Sequence, residues 1–221
     1  MSTTSPYASP AGTVSGARYI SNTLVARLLM ATLVTNGALD GLATLMQLLQ
    51  LATDGSILQN TGFLLVSGFQ AMGALLVLFA NMILWLVWQY IAARNARALA
   101  AEDTYMEYGA GSGLLWWFVP FANLVKPLHV VQEIWTTTVV QLRNPELPSS
   151  GMLTAWWGLW VVSGITSNIA LRVSGFDYSA VGAVIWMVAS LLGLAAALAA
   201  ALVVKRIDDV QVQVATEKAL V

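Results

Sequence analysis

The 221-residue chain contains no cysteine and a single histidine, His129. The absence of cysteine excludes disulfide bonds, thiolate metal ligands and a cysteine nucleophile. One histidine excludes a haem held by two histidines of the same chain. Because no nucleophile–base pair or cluster of ligands is apparent either, we expect no metal site, no cofactor and no enzymatic activity.

Charged residues are also scarce. They make up 10% of the chain, whereas soluble domains carry about 25%. Hydrophobic residues make up 58% of the sequence, and the mean hydropathy is +0.72. So few charges cannot cover a water-facing surface, so the composition predicts a protein embedded in the lipid bilayer. A net charge of −1 argues against nucleic acid as a partner.

Four apolar segments are long enough to cross a bilayer core, which needs about 20 helical residues. They cover residues 24–52, 63–93, 152–173 and 181–204, and turn-forming sequences separate them. The sequence therefore predicts an all-α integral membrane protein, a four-transmembrane-helix bundle in a single domain over residues 21–210. Residues 1–20, rich in Ser, Thr, Pro and Gly, are expected to be a disordered cytoplasmic tail, and residues 211–221 a second cytoplasmic tail.

The basic residues predict the orientation of these spans. With four spans, all lysines and arginines but one lie on the same side, and the exception is Arg172. The others are Arg18, Arg27, Arg94, Arg97, Lys126, Arg143, Lys205, Arg206 and Lys218. Cytoplasmic loops carry the excess of basic residues. We therefore expect both termini in the cytoplasm and the chain in the plasma membrane, which in bacteria is the inner membrane.

The sequence of residues 114–143 predicts a short element that does not span the membrane and lies at its cytoplasmic face. The stretch LLWWFVPFANLVKP is apolar but too short to span, and Pro120 interrupts any helix through it. A helix can restart at Pro127. Its apolar face would carry Leu128, Val131, Ile134 and Trp135. We expect a re-entrant or interfacial aromatic element followed by an amphipathic helix.

Asp40 marks the first candidate site because it lies inside the first predicted span, four residues after Asn36. An intramembrane carboxylate costs about 2.5–3.5 kcal/mol on insertion scales and is a candidate for function. Asn81 and Asn168 are expected at similar depths on other spans and complete a possible polar face. Two interpretations stay open: a hydrogen-bonded group that holds the helices together, or a site that handles a proton or an ion.

The second candidate site lies at the cytoplasmic interface. It comprises Arg94, Arg97, Trp116, Trp117, Asn123, His129, Glu133 and Trp135. Arginines suit anionic lipid headgroups, and tryptophans suit the headgroup boundary. His129 and Glu133 share a helix face, but a metal needs three or four ligands, which favours a polar helix edge. Glu133 is also a possible partner for Arg94 or Arg97.

Four runs between about Trp85 and Trp160 carry a family resemblance. They are WQYIAARNARALAA, WWFVPFANLVKP, VQEIW and TAWWGLW. Their order and spacing resemble the bacterial membrane family called domain of unknown function 4328. The resemblance implies a multi-spanning bacterial membrane protein and no particular activity.

Two functions are compatible with these observations. The first is a membrane scaffold or accessory subunit that binds lipid, a protein partner or another copy of the chain through its interfacial helix. The second is a small transporter or channel that uses the polar face around Asp40. A second intramembrane charge on another span would favour transport, and the sequence has none.

Overall fold

The computed structural model describes residues 18–102, 104–142, 150–174 and 179–218. Within these ranges the chain is entirely helical, with six α-helices, two short 3₁₀ helices and no strand. Most of the predicted N-terminal tail (residues 1–17) and the loop that contains Arg143 lie outside the described residues.

The predicted apolar segments all lie in helices. The α-helices are α1 (Thr23–Ala52), α2 (Thr61–Leu99), α3 (Ser112–Leu115), α4 (Lys126–Val139), α5 (Gly151–Ser174) and α6 (Ala180–Glu217). The 3₁₀ helices are Ser56–Gln59 and Ala122–Leu124. Side-chain caps define two of the helix starts. Asn60 Oδ1 accepts the Phe63 N–H at 3.0 Å at the start of α2, and Ser179 Oγ accepts the Gly182 N–H at 3.2 Å at the start of α6.

Three of the described helices, α1, α2 and α6, are long and apolar enough to cross a membrane. Helix α5 has 24 residues, a sufficient length. Its tryptophans, its Ser and Thr residues and Asn168 make it less apolar than the other three. Length and composition therefore indicate a helical membrane protein with three candidate spans.

Helices α2 and α6 are longer than the predicted spans. They have 39 and 38 residues, or about 58 Å each at 1.5 Å per residue. A bilayer core is only about 30 Å thick. Residues 211–217, expected as part of a tail, belong to α6, where Gln211 and Val214 are buried. Charged residues end the hydropathic segment here without ending the helix.

The four long helices pack side by side, and we call their arrangement the row. Helix α6 packs between α1 and α5, and α1 also packs against α2, which gives the order α2–α1–α6–α5. Small side chains allow the close approach of α1 and α6. A Cβ added at Gly37 would lie only 3.1 Å from Leu194 Cδ1. Helices α2 and α5 instead meet through single side chains, Trp85 and Trp156, whose stacked rings are 4.9 Å apart.

The hydrophobic core is concentrated at one end of the long helices, near the C-termini of α2 and α6, where these two helices extend beyond the predicted spans. Helix α4 completes this core by packing against α2, α5 and α6. Its apolar side chains Val131, Ile134 and Trp135 are buried there. Helix α4 thus begins at Lys126, next to the predicted restart at Pro127, and these side chains contact protein, where we had expected lipid.

Candidate functional site

Six tryptophans form a continuous cluster between α2, α5 and the segment after α3. They are Trp85, Trp88, Trp117, Trp156, Trp157 and Trp160, with centroids of neighbouring rings 4.8–5.9 Å apart. We call them the tryptophan cluster. Trp117 contacts the rings of Trp85, Trp157 and Trp160. The aromatic stretch identified in the sequence is therefore anchored to the helices through one of its tryptophans.

Gln89 is a buried polar residue within this cluster. Its Oε1 accepts the indole N–H groups of Trp85 at 3.1 Å and Trp117 at 2.9 Å. Its Nε2 lies 3.5 Å from the Gly113 carbonyl oxygen. Sequence reasoning missed Gln89, although a lone amide among apolar residues, four positions after a tryptophan, was a usable signal.

Residues 115–125 project from the tryptophan cluster, and we call them the aromatic wedge. The outward side chains are apolar and exposed: Leu115, Phe118, Val119, Phe121, Leu124 and Val125. Phe121 is 85% exposed and has a φ of 62°, a value that bulky residues rarely adopt. The Ala122 N–H donates to the Pro120 carbonyl at 2.7 Å, closing a γ-turn centred on Phe121.

The wedge is held from two sides, so its strained turn persists. The Trp157 indole N–H donates to the Leu124 carbonyl at 2.9 Å, and Trp117 is bound to Gln89. Strained backbone persists only where the surrounding structure enforces it, and it concentrates at functional sites. The wedge is thus a fixed apolar projection.

A shallow pocket of about 90 Å³ lies beside the wedge. Its lining residues are Ala93, Arg94, Arg97, Tyr108 and Ala110. Lys126, the residue after the wedge, donates from Nζ to the Tyr108 hydroxyl at 3.0 Å and lies 3.6 Å from Glu107 Oε1. The hydrogen bond with Tyr108 raises the pKa of Lys126, so its ammonium group stays charged at neutral pH.

Glu133 does not pair with Arg94 or Arg97 as the sequence suggested. Its carboxylate accepts the backbone N–H groups of Glu107 and Tyr108, the second at 3.0 Å. This pairing holds the loop that forms one wall of the pocket against α4.

The other predicted interfacial residues differ in exposure. His129 is exposed, Asn123 is half-buried, and Trp116 is half-buried beneath Lys126 Nζ, 5.4 Å from its ring centroid. Trp135 is only 3% exposed, so it is inaccessible to lipid or a partner. In the described part of the chain, no group of three or more acidic or histidine side chains is placed to hold a metal.

The structure brings together two of the four residues of the predicted intramembrane site. Asn36 Nδ2 donates to Asp40 Oδ2 at 2.9 Å. A Cβ added at Gly193 would lie 2.9 Å from the same oxygen and 3.5 Å from Ser163 Oγ. The Asp40 carboxylate therefore lies where α1, α5 and α6 meet, and the backbone of α6 approaches it closely because residue 193 is glycine.

The other two predicted residues lie apart from Asp40. Asn168 is exposed, and its Nδ2 donates to the Gly164 carbonyl of its own helix at 2.9 Å. The buried Oδ1 of Asn81 has no hydrogen-bond partner in the described structure. The structure adds Ser163 to the surroundings of Asp40, a residue that the sequence did not single out.

Asn95, at the end of α2, binds the segment that precedes α1. Its Oδ1 accepts the Ile20 N–H at 3.0 Å, and its Nδ2 donates to the Ile20 carbonyl at 2.7 Å. Gln211 of α6 donates to the Ala92 carbonyl at 2.8 Å and lies 3.4 Å from Asn95. These two amides join the start of α1 to α2 and α6, at the end of the long helices that contains the hydrophobic core.

The apolar helices and the aromatic element beside them are the features of a multi-spanning helical membrane protein. A family model described as a domain of unknown function, DUF4328, matches residues 61–209. This match covers more than half of the chain, and the protein belongs to that family. No curated protein and no solved structure matches the chain. The matched region contains the tryptophan cluster, the wedge and the pocket, whereas Asn36 and Asp40 precede it.

Proposed function

We propose that this protein is a four-span protein of the bacterial plasma membrane, with both termini in the cytoplasm, that acts as a non-enzymatic scaffold or accessory subunit. Its working surface is the aromatic wedge, which engages the cytoplasmic leaflet or a partner within it. The observation that carries this proposal is the strained and highly exposed Phe121, presented with other outward apolar side chains.

Bands of exposed apolar side chains support four crossings. They run over residues 24–49 of α1, 64–87 of α2, 160–173 of α5 and 181–202 of α6. At 1.5 Å per residue these bands are about 37, 35, 20 and 32 Å long, against about 30 Å for a bilayer core. The α5 band is short because the first turns of this helix contain Trp156 and Trp157, which are buried within the tryptophan cluster. The whole helix has 24 residues, enough to cross.

The same bands support the position that we propose for the wedge. The α2 band ends at Val87, and the adjacent Trp85 contacts Trp117 of the wedge. This contact supports a wedge at the boundary of the bilayer, on the side where α2 ends. Apolar side chains at this depth enter the acyl-chain region or are covered by another membrane component.

A spin label attached to a single cysteine at Phe121 tests the proposal, since the chain has no native cysteine. In liposomes, the label should collide more with dissolved oxygen, which concentrates in lipid, than with a water-soluble nickel chelate. Ser112→Cys is the matched control, because Ser112 is exposed and polar in the preceding segment, and its label should show the opposite preference. Preferential collision with the nickel chelate at Phe121 would refute insertion of the wedge.

Asp40 gives a second candidate function, transport of a proton or an ion. Asp40 lies within about 6 Å of the middle of the α1 band, by the rise per residue of a helix, and contacts Asn36. Carboxylates at this depth mark proton relays in many transporters.

Asp40→Asn and Asp40→Leu separate a structural role from transport. If Asp40 only forms hydrogen bonds, Asp40→Asn should remain stable and complement a deletion strain. Asp40→Leu should lose a hydrogen bond worth up to about 2 kcal/mol. The measurements are thermal stability in detergent and growth. An Asp40→Asn variant that is stable but fails to complement would favour transport, because an amide cannot titrate.

A further inference from the structure

The pocket beside the wedge contains two arginines that pair with no carboxylate among the described residues. The Arg94 guanidinium lies 5.9 Å from the centroid of the Tyr90 ring. Arg97 makes one long hydrogen bond, from Nη2 to the Met106 carbonyl at 3.5 Å. A guanidinium has five N–H donors, so most of these donors have no partner among the described residues. Both residues are exposed.

Two acidic side chains next to Tyr108 and Lys126 are engaged with other groups. Glu133 accepts two backbone N–H groups, and Glu107 lies against Lys126. The small side chains Ala93 and Ala110 leave space between the arginines and Tyr108. The pocket thus lies beside two arginines, whose planar cationic groups suit a phosphate group.

The position of the pocket relative to the bilayer indicates where the phosphate would come from. Arg94 and Arg97 follow Val87, the end of the exposed apolar band on α2, by about 10 and 15 Å of helix. The headgroup layer occupies about 5–8 Å beyond each side of the bilayer core. Long arginine side chains can reach back towards it. Lys126 contacts both Tyr108 of the pocket and Trp116 of the wedge, so one ligand with a phosphate and an acyl chain would reach both surfaces.

We propose that this pocket binds the phosphate headgroup of an anionic phospholipid of the cytoplasmic leaflet, whose acyl chains contact the aromatic wedge. The inference rests on the proposed function, since it requires the wedge to lie in that leaflet. It adds the class of ligand and the residues that select it.

Native mass spectrometry of the full chain, titrated with phosphatidylglycerol or with zwitterionic phosphatidylcholine, tests this inference. The wild type should bind phosphatidylglycerol in preference to phosphatidylcholine. Arg94→Gln and Arg97→Gln should each weaken phosphatidylglycerol binding about fivefold, the contribution of one basic residue at an anionic membrane surface. The double variant Arg18→Gln/Arg206→Gln is the control for Arg94→Gln/Arg97→Gln, because Arg18 and Arg206 are also exposed and lie outside the pocket.

The outcomes separate a defined site from diffuse charge. Loss of binding in the pocket variant and retention in the control supports the site. Equal loss in both double variants, or no preference for phosphatidylglycerol, would overturn it. Displacement of the lipid by equimolar inorganic phosphate would overturn the assignment to a lipid headgroup. The spin label at Phe121 reports on the wedge independently, so an inserted wedge with binding insensitive to Arg94 and Arg97 defeats this inference alone.

Discussion

At the scale of single residues, buried amides determine how the helices meet. Gln89 binds two indole N–H groups, Asn95 binds the backbone N–H and the backbone carbonyl of Ile20, and Gln211 binds a carbonyl on α2. An apolar side chain packs equally well in several registers, whereas these amides have partners at one position only. The sequence shows that such residues are unusual in apolar helices, but a one-dimensional pattern cannot identify partners 75 or more positions away.

Asn95→Ala should destabilise the protein by about 1–3 kcal/mol, because the backbone N–H and carbonyl of Ile20 both lose their Asn95 partner in a partly buried site. The measurement is the thermal unfolding of the purified protein in detergent. Asn168→Ala is the matched control. Asn168 is exposed and bonds only within its own helix, so its loss should change stability by less than about 0.5 kcal/mol. Equal destabilisation by both substitutions would contradict the role assigned to Asn95.

At the scale of elements, the sequence predicted where helices form better than what they contact. The start of α4 near Pro127 follows from local rules, and so does its apolar face. Lipid and a protein core are both apolar, so periodicity cannot distinguish them, and Trp135 proved to be buried in protein. Helices α2 and α6 continue beyond the predicted spans for a related reason. Arg94 and Lys205 end the hydropathic runs, but both are compatible with a continuing helix.

The attachment of the 106–113 loop to α4 depends on Glu133. Glu133→Gln keeps the shape of the side chain but removes the charge that strengthens its bonds to the Glu107 and Tyr108 N–H groups. Hydrogen exchange at these two amides should become faster, by a factor of about 10 for a loss of about 1.4 kcal/mol. In the control, Glu107→Gln, a more exposed ion pair with Lys126 is lost, and exchange should change little. Unchanged exchange in Glu133→Gln would contradict this attachment.

At the scale of the whole molecule, the hydrophobic core lies mainly at one end of the long helices, near the C-termini of α2 and α6. The four apolar segments were predictable because spanning length and composition are local properties. Their order in the row was not, since every apolar face can contact either lipid or another helix. The candidate sites show the same contrast between what local sequence predicts and what depends on contacts between helices. Arg94 and Arg97 were identified by composition, whereas Ser163 beside Asp40 and Gln89 beneath the wedge required the three-dimensional contacts.

Cysteine labelling in intact cells tests the central claim, four crossings with the wedge on the cytoplasmic side, most directly. Single cysteines at Ser150 and Ala180 report on the two ends of α5, one at Ser112 on the segment before the wedge, and one at Ser56 on the connection between α1 and α2. The cysteine-free chain gives no background. An impermeant maleimide should label the cysteines at Ser56 and Ala180 and leave those at Ser112 and Ser150 unlabelled until the membrane is disrupted. Labelling of Ser150 and Ala180 from the same side would show that α5 does not cross. Labelling of Ser112 and Ser150 from opposite sides would show that the wedge does.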